Sequence, residues 1–287
     1  MMYVVTGATG QLGRLVVEGL LARVPASEVA VAVRSAGKAA DLAARGVTVR
    51  EVDYDRPESL AGAFGAGDRV LLISGSEVGR RIPQHTAVVE AARAAGVALL
   101  AYTSAPGAAT FRLADEHKAT EAAIRESGLR YSFLRNGWYT ENYLGDAAGT
   151  VDRGIVIGSA GEGRIASAPR KDYADAAVAV LVGEGDEGGH ADTVYELSGD
   201  VAWSLPELAA ELAKASGRPV GHRDVTPAEH REVLVGAGLP EGFAEVLVDV
   251  DAGIARGELA GTPGDLARLI GRPTVPLAES VRTALKG

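Results

Sequence analysis

The chain has no cysteine among its 287 residues. Disulfides, thiolate metal centres and a cysteine nucleophile are therefore excluded, and a reducing compartment suits it. Basic charge is also short, 29 Lys+Arg against 38 Asp+Glu for a net charge of −9. No overall positive field draws in nucleic acid or anionic lipid. Long apolar runs are missing too. The most apolar segments, 176–182 and 97–101, fall well short of the ~18 residues a membrane helix needs. The first seven residues hold neither a basic n-region nor an apolar h-region. The five histidines, His85, His117, His190, His222 and His230, show no metal-ligand spacing, so no metal is expected. These absences point to a soluble cytoplasmic protein that handles a small molecule, with no nucleic-acid partner and no membrane insertion.

What is present is an ordinary globular composition, 47% hydrophobic and 23% charged, in a length that allows one large or two small domains at about 150 residues each. Apolar runs at 3–5, 29–33, 47–51, 69–73, 98–103 and 130–134 alternate with helix-like segments at 11–23, 38–45, 57–64, 83–95 and 114–127. That rhythm means βαβ units and a parallel sheet. The runs are continuously apolar, as expected of strands covered on both faces. Beyond residue 135 the pattern loosens. A short strand at 155–157, a helix at 172–182 and a strand at 193–197 that could rejoin the main sheet are expected. Capping boxes at Ser204…Glu207 and Thr226…Glu229 open two further helices, and 240–256 and 277–285 read as helices as well. The expected organisation is α/β: a doubly wound parallel sheet in residues 1–135, completed by 172–200, with a small, mostly helical cap from 136–171 and 201–287.

The first strand runs into Thr6, Gly7, Ala8, Thr9, Gly10, Gln11, Leu12 and Gly13, which open the first helix. Three glycines three apart allow a tight turn, close backbone approach to a pyrophosphate, and packing of helix on strand; this is the Rossmann-type dinucleotide fingerprint. The helix N-terminus adds unpaired N–H groups and positive dipole. Dinucleotide folds that take NAD usually end the second strand in a carboxylate. Here Arg34 ends it, with Lys38 one turn on and no carboxylate before Asp41. A guanidinium in that place grips a 2′-phosphate bidentately and stacks on adenine, so NADPH is the expected coenzyme; the other reading of Arg34 is a solvated strand-end cation.

A sheet of this kind opening on that loop is the frame of the short-chain dehydrogenases, whose proton donor is a tyrosine followed four residues later by lysine. None of the eight tyrosines has that lysine. On the helix after the fifth strand, taking His117 or Lys118 as the lysine puts Leu113 or Ala114 where the tyrosine should be. Carbonyl reduction, which needs a general acid for the developing alkoxide, is disfavoured. A quinone relaxes the demand, because the charge of the hydroquinone anion is delocalised. Trp138, Tyr139 and Tyr143 offer aromatic surface for a planar acceptor, or else simply pack the cap. His117 is the one histidine on a helix near the expected catalytic edge, as pocket wall, proton relay or structural hydrogen-bonder.

Residues 6–13 (TGATGQLG), 24–27 (VPAS), 71–79 (LLISGSEVG), 83–85 (PQH), 101–104 (AYTS), 113–117 (LADEH) and 134–139 (LRNGWY) together resemble the NmrA-like atypical short-chain dehydrogenases. Within that family the likeness is to the bacterial NADPH:quinone oxidoreductases of type 2, and it runs on through 203–205 (WSL), 269–271 (LIG) and 277–281 (LAESV). The chain is also similar to the triphenylmethane reductases. The resemblance implies flavin-free two-electron reduction of quinones by NADPH. It implies coenzyme contacts from Gly7, Ala8, Thr9, Gly10, Gln11 and Leu12, from Arg34, from Ile73, Ser74 and Gly75, and from Asn136, Gly137, Trp138, Tyr139, Thr140 and Glu141. Two departures lie on the acceptor side: Lys118 stands where an apolar residue is expected, and the loop 105–112 is about two residues shorter, in a region where length varies freely. A redox-sensing NADP-binding protein and a triarylmethane dye reductase are the alternatives. The oligomeric state, a homodimer included, stays open.

Overall fold

Val4, Val5, Val29, Ala30, Val31, Val70, Leu71 and Leu72 are completely covered, as β-branched and leucine-rich strands are when helices flank both faces. The computed structural model describes residues 1–107, 109–110, 112–183 and 189–286, with the backbone alone of Leu113. The Leu113 side chain, and Ala108 and Phe111 of the shortened loop, therefore lie outside the described residues. The strands are β1 (Tyr3–Thr6), β2 (Val29–Val33), β3 (Thr48–Glu51), β4 (Arg69–Leu72), β5 (Leu99–Ser104), β6 (Tyr131–Asn136), β7 (Ile155–Gly158), β8 (Thr193–Leu197) and β9 (Gly221–Asp224). The helices are α1 (Gln11–Leu21), α2 (Ala40–Ala44), α3 (Arg81–Ala95), α4 (Arg112–Glu126), α5 (Glu141–Leu144), α6 (Ala147–Arg153), α7 (Arg170–Val182), α8 (Leu205–Ser216), α9 (Pro227–Gly236), α10 (Glu241–Ala255), α11 (Asp265–Ile270) and α12 (Leu277–Ala284).

Seven strands form one sheet in the order β3-β2-β1-β4-β5-β6-β8. The pairs from β3 across to β6 are all parallel. The chain steps outward from β1 through β2 to β3, then returns to lay β4 on the other side of β1. Where the order reverses, the loops after β1 and β4 diverge, and open α/β sheets bind ligands in that crevice. The edge strand β3 carries Thr48, Arg50 and Glu51 and is only partly covered, a polar edge that discourages pairing with another chain.

The described residues divide into two compact units, one built from 1–105, 116–136 and 170–195, the other from 106–115, 137–169 and 196–287. The first unit holds α1 against α7. Leu12, Val16, Val17 and Leu20 bury one stripe of α1, and Val178 of α7, one of its buried residues, packs beside Gly19. In the second unit β7 pairs in parallel with β9, from Ile155 opposite Gly221 to Gly158 opposite Asp224, and α8 packs on both strands. Both expected capping boxes form, Ser204 with Glu207 and Thr226 with Glu229.

Three segments depart from the sequence reading. The helix expected at 57–64 is a single 3-10 turn, Pro57–Leu60. The cap contains a small sheet as well as helices, since Gly221, His222, Arg223 and Asp224 form β9 without one apolar side chain. Backbone hydrogen bonding to β7 makes that strand, so hydrophobic periodicity had nothing to report. Helices α5, α6 and α11 are each seven residues or fewer, too short for a periodic pattern to stand out.

A Cβ on Gly19 would lie 2.8 Å from Val178 Cγ2, and valine on a helix has one strongly favoured rotamer. Gly19→Ile is expected to destabilise the fold by about 1–3 kcal/mol through overpacking, seen as a lower urea midpoint at unchanged slope.

Candidate coenzyme and acceptor site

The turn after β1 is fixed by sterics. Gly7 has φ +59°, a left-handed conformation that favours glycine, and Gly10 N–H donates to its carbonyl at 3.0 Å. A Cβ on Gly13 would come within 2.4 Å of Gly7 O and 2.7 Å of Ala8 Cα, so glycine there lets α1 begin directly against the loop. Gly10 caps α1 without a side-chain acceptor, and no acidic residue stands in the first turn. The first N–H groups of α1 and its positive dipole end are thus available to an anion. Both the glycine placement and the uncapped helix end fit a pyrophosphate.

Arg34 follows β2, with its side chain 71% exposed and Nη1 2.8 Å from Glu77 Oε1. That exposure leaves the guanidinium free to exchange this partner for a phosphate, since exposed ion pairs contribute little. Asp41, the first carboxylate after β2, is held 2.6 Å from Arg14 Nη1. The hydrogen bond to Arg14 also keeps the Asp41 carboxyl below its usual range. Its bond to α1 makes Asp41 a structural partner rather than a free ribose acceptor. Nearby, burial pushes the Tyr54 hydroxyl up to about 12, with a hydrogen bond to Thr6 opposing the shift.

The loop after β4 is held by side chains from three elements. Ile73 N–H donates to Thr6 Oγ1 at 3.1 Å, Ser74 N–H to Thr103 Oγ1 at 2.9 Å, and Gly75 N–H to His85 Nε2 at 3.0 Å. Arg81 Nε donates to Gly75 O at 2.6 Å. Because His85 Nε2 accepts, Nδ1 carries the proton and meets Thr120 Oγ1 at 2.9 Å; Thr120 in turn donates to Glu116 O. Thr6, Thr103, His85, Arg81 and Thr120 are positioning residues, a role the sequence reading gave to none of them; Arg81, expected with Arg80 as a solvated charge pair, is buried. A threonine closing or nearly closing an apolar run, as Thr6 and Thr103 do, is the local signal they leave.

His117 on α4 is buried, its Nδ1 2.8 Å from the Tyr102 hydroxyl. Burial, with the positive charge of Arg81, brings His117 down to about 3 and His85 to about 4. Both rings are therefore neutral at physiological pH. Beside them, Glu121 accepts Ser104 Oγ at 2.7 Å and Arg135 Nε and Nη2 at 2.9 and 2.7 Å. This buried fork ties β5, α4 and β6 together, with Asn136 as the last residue of β6.

In the second unit, residues 137–143 are pinned by their own contacts. Gly137 N–H donates to Leu197 O at 2.7 Å and Thr140 N–H to Ala168 O at 3.1 Å. The Thr140 hydroxyl lies 2.8 Å from Ser167 Oγ, which also accepts Trp203 Nε1 at 3.0 Å. The ring of Tyr143 meets Trp203 edge-on at 5.2 Å. Trp138, Tyr139 and Tyr143 thus sit on one rigid segment. Among the described residues no group of side chains could hold a metal.

The two buried histidines make the fold acid-sensitive. Unfolded, each ring takes a proton near 6.5; folded, only near 3 to 4. Between those values the unfolded chain holds more protons, so stability is full above about 6.5 and falls as the pH drops. Urea midpoints measured from pH 7.5 down to 4.5 are expected to decline, and His117→Gln to flatten the decline.

The family model described as NAD(P)H-binding matches residues 7–183. Quinone oxidoreductase 2 of Escherichia coli K12 is 49% identical over 282 residues, 98% of this chain and 97% of that protein. The crystal structure of the NADPH-dependent enzyme complexed with NADPH superposes with a TM-score of 0.94 over 100% of both chains. Citrobacter sp. triphenylmethane reductase complexed with NADP(H) is 42% identical, covers 98% of this chain and 99% of its own, and gives a TM-score of 0.93. An NmrA-like family domain-containing oxidoreductase of Aspergillus flavus is 30% identical across 99% of this chain and 95% of its own length. The chain thus belongs to the NAD(P)H-binding family, as an NmrA-like atypical short-chain dehydrogenase/reductase akin to the type 2 quinone oxidoreductases.

Proposed function

We propose that the chain is an NADPH-dependent oxidoreductase that reduces quinones by two electrons without a flavin. The observation that carries this reading is the glycine loop at the switch point with Arg34 beyond it, in a chain 49% identical over its length to a quinone oxidoreductase. NADPH, when bound, supplies the hydride. Residues 7–12 hold the pyrophosphate on the N–H groups opening α1. Arg34 leaves Glu77 for the 2′-phosphate, with the bidentate geometry a guanidinium offers. Ile73, Ser74 and Gly75 give a backbone wall that cannot sag, since their three N–H groups already have acceptors. Asn136, Gly137, Trp138, Tyr139, Thr140 and Glu141 take the nicotinamide side, and Trp138, Tyr139 and Tyr143 give flat surface for the acceptor. His117 acts as a neutral wall, its Nδ1 engaged by Tyr102.

The missing tyrosine–lysine pair suits this acceptor. A hydroquinone anion spreads its charge over the ring and needs a weaker acid than an alkoxide does. Triarylmethane dyes form the second reading, supported by the 42% identity to the Citrobacter reductase. No helix among the described residues is long and apolar enough to cross a membrane, and we take the enzyme to act in the cytoplasm on diffusible acceptors.

Steady-state NADPH oxidation against benzoquinones, naphthoquinones, malachite green and no acceptor tests the reading. Turnover with quinones supports it, turnover with the dye alone favours the second reading, and coenzyme binding without turnover leaves a sensor. Arg34→Glu is expected to weaken NADPH binding at least tenfold by calorimetry while NADH binding changes little; equal loss of both would make the residue structural. No single Tyr→Phe replacement among the eight tyrosines is expected to abolish quinone turnover.

A further inference from the structure

Within the first unit Arg34 is not a lone cation. Its Nη1 meets Glu77 Oε1 at 2.8 Å, and Glu77 comes from the loop after β4. In the sheet β2 and β4 flank β1, each parallel to it. A bond from the residue after β2 to the loop after β4 therefore spans the end of β1, where the glycine turn begins. The ion pair is a strap across that end of the sheet.

Glu77 is held in place for this contact. Its Oε2 accepts Gln84 Nε2 at 3.3 Å, and that buried amide is itself fixed by donation to Asp55 Oδ1 at 3.1 Å. Asp55 also takes Arg80 Nη2 at 2.9 Å. On either side of Glu77 the backbone is tied down, Gly75 N–H by His85 Nε2 and Gly79 N–H by Glu116 Oε1 at 2.9 Å. Other carboxylates near the end of β2 are engaged elsewhere. Asp41 holds Arg14, and Glu51 Oε2 accepts Ala36 N–H at 2.9 Å. Asp53 takes Arg56 Nε and the Asp55 N–H, both at 3.1 Å. Among the described residues, Glu77 is the carboxylate that hydrogen-bonds Arg34.

Dinucleotide folds read the adenosine ribose near the end of the second strand, with a carboxylate for a free 2′-hydroxyl or a cation for a 2′-phosphate. This chain brings both groups together, Arg34 from β2 and Glu77 from the β4 loop. They act oppositely on the two coenzymes. A 2′-phosphate has to displace Glu77 to take the guanidinium. A 2′-hydroxyl displaces nothing, and a carboxylate paired with arginine keeps lone pairs that can accept from it. We propose that Glu77 is a specificity-determining residue: it competes with the 2′-phosphate for Arg34, which restrains the preference for NADPH and lets NADH bind. This rests on the reading of Arg34 as the phosphate contact. Both side chains of the pair are at least 37% exposed, so the strap opens at small cost and its effect on affinity is moderate. Gln84 is a positioning residue that keeps the carboxylate at the guanidinium.

Isothermal titration calorimetry of the full chain with NADPH, NADH and 2′,5′-ADP measures the competition without turnover. Glu77→Gln removes the charge and keeps an oxygen that can accept. NADPH and 2′,5′-ADP should each bind it about threefold to fivefold more tightly, the scale of an exposed ion pair, with NADH within about twofold. Glu77→Ala removes the acceptor as well, so NADPH should tighten while NADH weakens about threefold or more. Opposite movement of the two coenzymes is what a merely structural role would not produce. Arg34→Ala should weaken NADPH and 2′,5′-ADP, and adding Glu77→Gln to it should lose most of the gain. Joint weakening of both coenzymes in Glu77→Ala would make the residue a loop support and overturn the proposal. An unchanged NADPH:NADH ratio in both Glu77 variants would overturn it too, with the role of Arg34 intact. If Arg34→Ala binds NADPH and 2′,5′-ADP as the wild type does, the phosphate reading of Arg34 falls and the competition with it. Thermal melting identifies a misfolded Glu77→Ala, in which case Glu77→Gln and 2′,5′-ADP decide.

Discussion

The first helix begins so close to the loop before it that a methyl group on Gly13 would overlap the Gly7 carbonyl. That contact is the constraint on which the coenzyme site depends. It places the end of α1 at the point where the sheet changes direction, with no side chain capping its amides. Hydrogen-bond donors that helix geometry leaves unsatisfied then stand open at that turn. The β4 loop faces the same turn, since a Cβ on Gly7 would rest 3.6 Å from that of Ile73. Backbone, rather than long side chains, shapes this turn, while Arg34 beyond β2 stays exposed beside Glu77.

Rigidity around that backbone comes from buried polar groups that satisfy one another. The run from Gly75 through His85 and Thr120 to the Glu116 carbonyl allows only one tautomer. Protonating His85 would set two donors face to face at Gly75, a geometric reason for the low affinity of that ring for a proton. Buried hydrogen bonds of this kind add modestly to stability when complete and are expensive when broken. The Glu121 fork does the same work at the ends of β5 and β6 through a bidentate guanidinium contact.

The second unit uses its polar groups differently. Ser167 gathers Thr140 and Trp203, so the aromatic segment 137–143 cannot swing. The Asp251–His230 pair sits in apolar surroundings with one ring nitrogen uncommitted. A fold without the tyrosine–lysine pair of ordinary dehydrogenases has no built acid in the usual place.

Much of this architecture is written in adjacent residues. Apolar runs marked the strands, and in β1, β2, β4 and β5 they are nearly continuous because both faces are buried; the capping boxes marked α8 and α9 because their partners lie three residues apart. The glycine turn was legible for the same reason, a local steric requirement at fixed spacing. What the sequence concealed is whatever depends on distant partners. β9 has no apolar residue and exists through backbone pairing with β7. Asp41 was read as the nearest carboxylate and is occupied by Arg14, 27 residues away. His85 was read for metal spacing and as part of the PQH stretch, although its partners are a backbone amide and a threonine on another helix. Ser159 meets His230 and Asp251 across 71 and 92 residues. Periodicity and glycine sterics act between neighbours in the chain, so the sequence alone determined the sheet and the glycine turn. Hydrogen-bond partners are chosen by packing, so only the tertiary structure decided which polar side chains became buried anchors and which line a cavity.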